Sequence, residues 1–138
     1  MVILKGTGVS EGIAFGRIFI NKTKSSKSEK KEIKDKNEEI NRYKKAKKAT
    51  LDYTKKLYNQ VLEKLGENEA EIFKTHEMMI NDQDFENSII NIISEEMANA
   101  EYAIAKTSEI FSKIFLDMPD PYMKSRAMDV ADISNCMI

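Results

Sequence analysis

Helix-breaking residues are scarce through most of this chain, and this scarcity limits the folds that it can adopt. After position 16 the 138-residue sequence contains one glycine, Gly66, and two prolines, Pro119 and Pro121. Glycine and proline are the residues that most strongly end helices and mark turns. We therefore expect long helices over most of the chain, with only a few interruptions.

Apolar residues recur at helical spacing from about residue 37, and Gly66 is a plausible stop for this first helix. A second helix is predicted over 67–80, and a polar corner at 81–84 follows it. The inward stripe predicted for the first helix consists of Ile40, Tyr43, Ala46, Leu57, Val61 and Leu65.

Three more helices are predicted from capping residues. Asp82 or Asp84 suits the start of a third helix, and Asn99 suits the start of a fourth. Asp120 followed by Pro121 is a strong start signal for the last helix. The sequence therefore predicts a mainly α helical bundle.

The glycine-rich opening, GTGVSEGIAFGRIFI, predicts two short strands, at 2–5 and 13–20, rather than a phosphate-binding loop. A dinucleotide loop has the pattern G-x-G-x-x-G, but Glu11 stands where the third glycine belongs. A phosphate loop also requires a helix immediately after it, whereas β-branched and aromatic residues follow here. Residues 22–36 are polar and predict a linker.

Charge and composition exclude several classes of protein. The 22 basic and 23 acidic side chains leave a net charge of -1, which argues against a general nucleic-acid binder. A single cysteine, Cys136, rules out an internal disulfide and fits a reducing compartment. No apolar run is long enough to span a bilayer, so we expect a cytoplasmic protein without membrane contact.

His76 is the only histidine and thus the only candidate for proton or phosphoryl transfer near neutral pH. Glu77 beside it would oppose the added negative charge of a phosphoryl group, so a structural role is favoured over a catalytic one. One histidine and one distant cysteine do not supply a metal site. Met78 and Met79 beside the acidic corner suit either a partner-binding surface or a core.

Three segments, in one order, resemble a known family: GVSEGIAFGRIFI, EIFKTHEMMINDQDFE and YMKSRAMDVADI. Together they look like the N-terminus of Enzyme I, the phosphoenolpyruvate-protein phosphotransferase of the bacterial sugar phosphotransferase system. The resemblance implies an incomplete α/β phosphohistidine domain at 1–21 and a helical domain at 37–138, whose last helix is truncated. In the family, the helical domain docks a small carrier protein, HPr, during phosphate transfer for sugar uptake.

The resemblance also implies where the chemistry lies. The family's phosphorylated histidine belongs to a Gly-Gly-x-Thr-x-His segment, which this sequence lacks. His76 is then not the phosphoryl acceptor, and the chain alone is expected to be catalytically inactive and free of cofactors. The barrel that binds phosphoenolpyruvate and Mg²⁺, and that dimerises the family's proteins, is also absent, so we expect a monomer.

On this resemblance, the HPr-facing surface is built from the helices around the two predicted corners. Lys74 and Gln83 depart from the acidic residues that the family often has. The alternative is a generic helical interaction module that self-associates through the first helix. The expected HPr-binding residues are Met78, Met79, Asp82, Asp84, Phe85, Phe115, Met118, Tyr122, Met123 and Arg126.

Overall fold

The computed structural model describes residues 6–8, 11–13, 15–17 and 28–138. The predicted strands at 2–5 and 13–20 lie largely outside these residues, and the domain boundaries remain predictions. The prediction of a mainly α bundle is confirmed. In the described part of the chain five helices follow one another: α1 (Lys36–Lys64), α2 (Glu67–Ile80), α3 (Gln83–Glu96), α4 (Ala100–Asp117) and α5 (Pro121–Met137).

Short acidic side chains start three of these helices. The Asp35 carboxylate accepts hydrogen bonds from the first amides of α1. The Asp82 carboxylate accepts from Phe85 N at 2.8 Å, and the Asp120 carboxylate accepts from Tyr122 N at 2.9 Å. Each bond satisfies an amide that has no partner within its helix. The predicted starts at Asp82 and Asp120 are therefore confirmed.

Gly66 separates α1 from α2, as predicted. Its φ of 106° lies in the region that disfavours side chains, which explains why glycine stands there. The inward prediction for Leu65 is wrong, because this side chain is 66% exposed. Leu65 is the C-cap of α1, where the chain leaves helical geometry and the inward stripe ends.

The core lies where all five helices meet. The α1–α2 and α4–α5 pairs form helical hairpins, and α3 packs against both α4 and α1. Burial of these apolar side chains supplies most of the folding free energy. The core cluster consists of Tyr43, Ile80, Phe85, Ile89, Ile93, Ala100, Ala103, Ile104, Val130, Ile133 and Met137.

The segment before α1 is attached to the α3–α4 loop, and we name this pairing of 30–33 with 97–99 the clasp. Asn99 N donates to Lys31 O at 3.1 Å, and Ile33 N donates to Met97 O at 3.0 Å. Met97 has a left-handed φ of 46°, which ends α3 and turns the chain toward the clasp. The polar pattern of the predicted linker contained no signal for this pairing.

A buried carboxylate from α1 completes the clasp. Asn99 occupies the predicted N-cap position of α4, but its side-chain oxygen accepts from Lys31 N at 2.8 Å instead of capping the helix. Glu39 Oε1 takes the capping role and accepts from Ala100 N at 2.7 Å. The same oxygen accepts from Arg42 Nη1 at 2.6 Å. The start of α4 is thereby bonded to α1.

Candidate docking groove

A groove of about 290 Å³ opens where the α2–α3 corner meets α4 and α5. Six residues predicted for partner binding line it together: Met78, Met79, Asp82, Asp84, Phe85 and Phe115. Phe111, Val130 and Ile133 also line it and were not predicted. Their helical spacing marked them only as apolar residues, since the groove forms only when α4 packs against α3 and α5 packs against α2.

The apolar lining has an exposed rim and a buried floor. Met78 is 74% exposed, whereas Met79 is half-buried and packs against the core. Phe85 is only 2% exposed, and its ring meets that of Phe111 edge to face with centroids 5.2 Å apart. Phe85 therefore shapes the groove from beneath, and a charged residue at this position would disrupt the core.

Acidic side chains border the groove at the start of α3. Asp82 and Asp84 are both exposed, and Asp82 also caps the helix. Carboxylates are favoured here because the amino end of a helix carries partial positive charge. The groove thus combines an exposed methionine with negative charge on a rigid helix terminus.

The other four predicted residues lie around the α4–α5 corner and do not line the groove. They are Met118, Tyr122, Met123 and Arg126. Phe73, in the first half of α2, lies near Cys136 at the end of α5, because both line one cavity. Met79, at the end of α2, lies near Val130 in the middle of α5, because both line the groove. The two helices therefore run antiparallel. Arg126, one turn before Val130, therefore lies toward the α2–α3 corner.

Arg126 is held in one arrangement by its neighbours on α5. Its Cζ lies 4.5 Å from the centre of the exposed Tyr122 ring, and its Nη2 donates to the Tyr122 hydroxyl. Its Nη1 donates to Asp129 Oδ2 at 2.8 Å. The hydrogen bond to Asp129 is the main cause of a raised pKa of the Arg126 guanidinium.

His76 faces a carboxylate in a largely buried position between α2 and α5. Its Nε2 is 3.5 Å from Asp129 Oδ1 and is buried without a hydrogen-bond partner among the described residues. The Phe73 ring meets the imidazole edge to face, with centroids 6.0 Å apart. A phosphoryl acceptor requires an accessible nitrogen near cations, whereas this nitrogen is enclosed and faces negative charge.

The two residues that depart from the family pattern have different surroundings. Lys74 turns toward α1, where its Nζ lies 5.4 Å from the Tyr58 ring centre. The same Nζ lies 3.7 Å from Glu67 Oε1 at the start of α2. The hydrogen bond with Tyr58 is the main cause of the raised pKa of Lys74. Gln83 is exposed at the start of α3, between the two acidic rim residues.

Two features are absent from the described residues, a membrane-spanning helix and a cluster of metal ligands. Among them, no helix is both long enough and apolar enough to cross a bilayer. In the same part of the chain, no three histidine, cysteine, aspartate or glutamate side chains converge in a way that could hold a metal ion.

Comparisons with known proteins agree on one family. The family model described as "PEP-utilising enzyme, N-terminal" matches residues 5–126. The phosphoenolpyruvate-protein phosphotransferases of Bacillus subtilis and Mycoplasma capricolum are each 34% identical over 131 residues. That alignment covers 95% of this chain and 23% of each relative's length.

Solved structures show the same fold. A solution structure of Enzyme I (nEIt) superposes with a TM-score of 0.75 at 29% identity, over 79% of this chain and 45% of that one. The N-terminal domain of Enzyme 1 – Nitrogen superposes with a TM-score of 0.73 at 18% identity, over 80% of this chain and 46% of that one. The chain belongs to the family of PEP-utilising enzymes and matches their N-terminal region.

Proposed function

We propose that this chain is the HPr-docking part of a phosphoenolpyruvate-protein phosphotransferase that serves sugar uptake. The observation that carries the proposal is the groove, in which an exposed apolar rim and two carboxylates converge on a rigid helix corner. Exposed methionine adapts to a partner surface, which suits a contact that must form and dissociate repeatedly.

The charges suit a partner with basic residues around an apolar face. Asp82 and Asp84 would meet those basic residues and accelerate encounter more than they deepen affinity. Weak, rapidly reversible binding is what phosphate relay requires, because the carrier must leave after each transfer. We therefore expect binding that weakens as ionic strength rises.

The test is a titration with HPr of two variants, one with a substituted methionine that lines the groove and one with a substituted methionine away from it. Met78 lines the groove at 74% exposed, and Met128 on α5 is 68% exposed and does not line it. We expect Met78→Asp to abolish binding and Met128→Asp to bind as the unmodified chain does. Backbone NMR spectra would verify that both variants are folded, and normal binding by a folded Met78→Asp would overturn the proposal.

The phosphoryl chemistry, in this proposal, resides outside this chain. His76 is enclosed and faces Asp129, which argues against its acting as an acceptor. We expect no label to be transferred to the chain from labelled phosphoenolpyruvate in the presence of Mg²⁺. Phosphorylation of His76, identified by mass spectrometry and lost in His76→Ala, would contradict this assignment.

Self-association through α1 is the alternative, and the bundle does not favour it. Tyr43, which anchors the proposed stripe, is 0% exposed within the core. Leu57 and Val61 are half-buried. We expect a monomer in analytical ultracentrifugation, and a dimer that dissociates in a Leu57→Asp variant would favour the alternative.

A further inference from the structure

Asp129 faces a side chain of its own helix with one carboxylate oxygen and a side chain of α2 with the other. Oδ2 accepts a hydrogen bond from Arg126 Nη1 at 2.8 Å on the same helix, α5. Oδ1 lies 3.5 Å from His76 Nε2 on α2. The side chains of Asp129 and Arg126 are 14% and 15% exposed, so the pair is largely removed from water. Ion pairs in such surroundings are screened less by salt than surface pairs are.

The contacts around Arg126 restrict a side chain that is ordinarily mobile. Arginine carries several rotatable bonds, and ordering them during association opposes binding. Here the guanidinium lies over Tyr122 and is bonded on one side to its hydroxyl and on the other to Asp129. A cation arranged in this way before the partner arrives binds a partner's acceptor at a lower entropic cost.

Other polar groups near His76 have separate positions. Asp132 and Cys136 of α5 and Tyr53 of α1 line the small cavity that His76 also lines. Glu77, the next residue on α2, lies 3.4 Å from Lys55 Nζ. Asp129 is thus the carboxylate placed between the imidazole and the guanidinium, and a change there would affect both.

We propose that Asp129 is a positioning residue of the docking surface, which holds the Arg126 guanidinium over Tyr122. The inference rests on the proposed docking of HPr. It assigns to Asp129 a role in recognition, although Asp129 neither lines the groove nor belongs to the residues expected to contact HPr.

The experiment is a double-mutant cycle on HPr affinity, with Asp129→Asn, Arg126→Ala and the double variant. We expect each single change to weaken binding about tenfold, the scale of one charge-assisted hydrogen bond. The double variant should bind no more weakly than Arg126→Ala, because Asp129 acts through Arg126. The matched control is Asp132→Asn, an exposed carboxylate one turn along α5, which should leave affinity unchanged.

A merely structural role for Asp129 would give a different pattern. Asp129→Asn would then lower the melting temperature while affinity stayed normal, or its effect would add fully to that of Arg126→Ala. Either result would overturn the inference, as would normal binding by Arg126→Ala. Suppose that the unmodified chain binds HPr, Met78→Asp does not bind it, and Asp129→Asn binds it normally. The proposed docking is then supported, and only the positioning role of Asp129 is overturned.

A second measurement uses the unmodified chain alone, without variants and without HPr. In the unmodified chain, the Arg126 side-chain NMR signals should show restricted rotation about the guanidinium bonds, unlike those of the exposed Arg17. Free rotation of the Arg126 guanidinium would overturn the inference, even if HPr docking is confirmed.

Discussion

The two ends of α3 differ in their surroundings: polar groups are buried and hydrogen-bonded near one end, and apolar side chains are exposed near the other. Its carboxyl end leads into the clasp, where Asn99 is bonded to Lys31 and the buried Glu39 accepts from Ala100 N. Its amino end, about 21 Å away over 14 residues, borders the groove. There Met78 remains exposed above a buried floor.

This difference separates stability from recognition within one small bundle. Buried polar groups with full sets of partners specify one arrangement, since leaving any of them unpaired is costly. Exposed apolar side chains beside charge add little to stability and are available to a partner. Changes at the clasp should therefore alter folding alone, and changes at the exposed apolar rim of the groove should alter binding alone.

The largest effect is expected at the floor of the groove, where one substitution should reduce both stability and binding. Phe85→Ala removes a buried ring that packs on Phe111, and it should lower the free energy of unfolding by about 3–5 kcal/mol. Binding should weaken as well, because the groove loses its floor. Urea denaturation measures the first effect, and a change below about 1 kcal/mol would show that Phe85 is not part of the core.

At the clasp, Glu39→Ala should lower the free energy of unfolding by about 1–3 kcal/mol, because Ala100 N is left buried without its acceptor. HPr affinity of the folded variant should not change. The neighbouring Glu38→Ala, at an exposed position, is the control and should have little effect on stability. A loss of HPr affinity in folded Glu39→Ala would show that the two ends are coupled.

Asp82 contributes both to stability and to HPr recognition, and two substitutions distinguish these contributions. Asp82→Ala removes the cap of α3 and should cost about 1 kcal/mol of stability. Asp82→Ser retains a capping oxygen without the charge and should preserve stability. Both should slow HPr association at low salt, measured by stopped flow, and equal stability of the two variants would argue against the capping role.

The smallest effect is expected for the Tyr43 hydroxyl, and it tests whether this buried group lacks a hydrogen-bond partner. The Tyr43 hydroxyl is buried without a hydrogen-bond partner among the described residues, and burial raises the pKa of this group. Tyr43→Phe should therefore change the free energy of unfolding by less than about 1 kcal/mol, and any change should favour folding. Thermal denaturation measures it, and a clear loss of stability would reveal a partner for the hydroxyl.

Local signals explain how much of the fold could be predicted. Gly66, Asp82 and Pro121 with its cap each determine a helix boundary through the geometry of a few neighbouring residues, and these boundaries are confirmed. The prediction for Leu65 failed because periodicity does not indicate the turn at which a helix end leaves the core. The candidate site was located in sequence only through a family resemblance, since no local pattern distinguishes Met78 from a core methionine.

The helices, their caps and the positions of charge follow from local sequence, because each depends on interactions within a few residues. Three arrangements could be known only from the folded bundle: Glu39 caps a helix 61 residues away, Phe85 lies under the groove, and Asp129 lies between Arg126 and His76. These arrangements depend on how helices distant in sequence pack together. Burial and electrostatic contact between such helices arise only when the bundle closes.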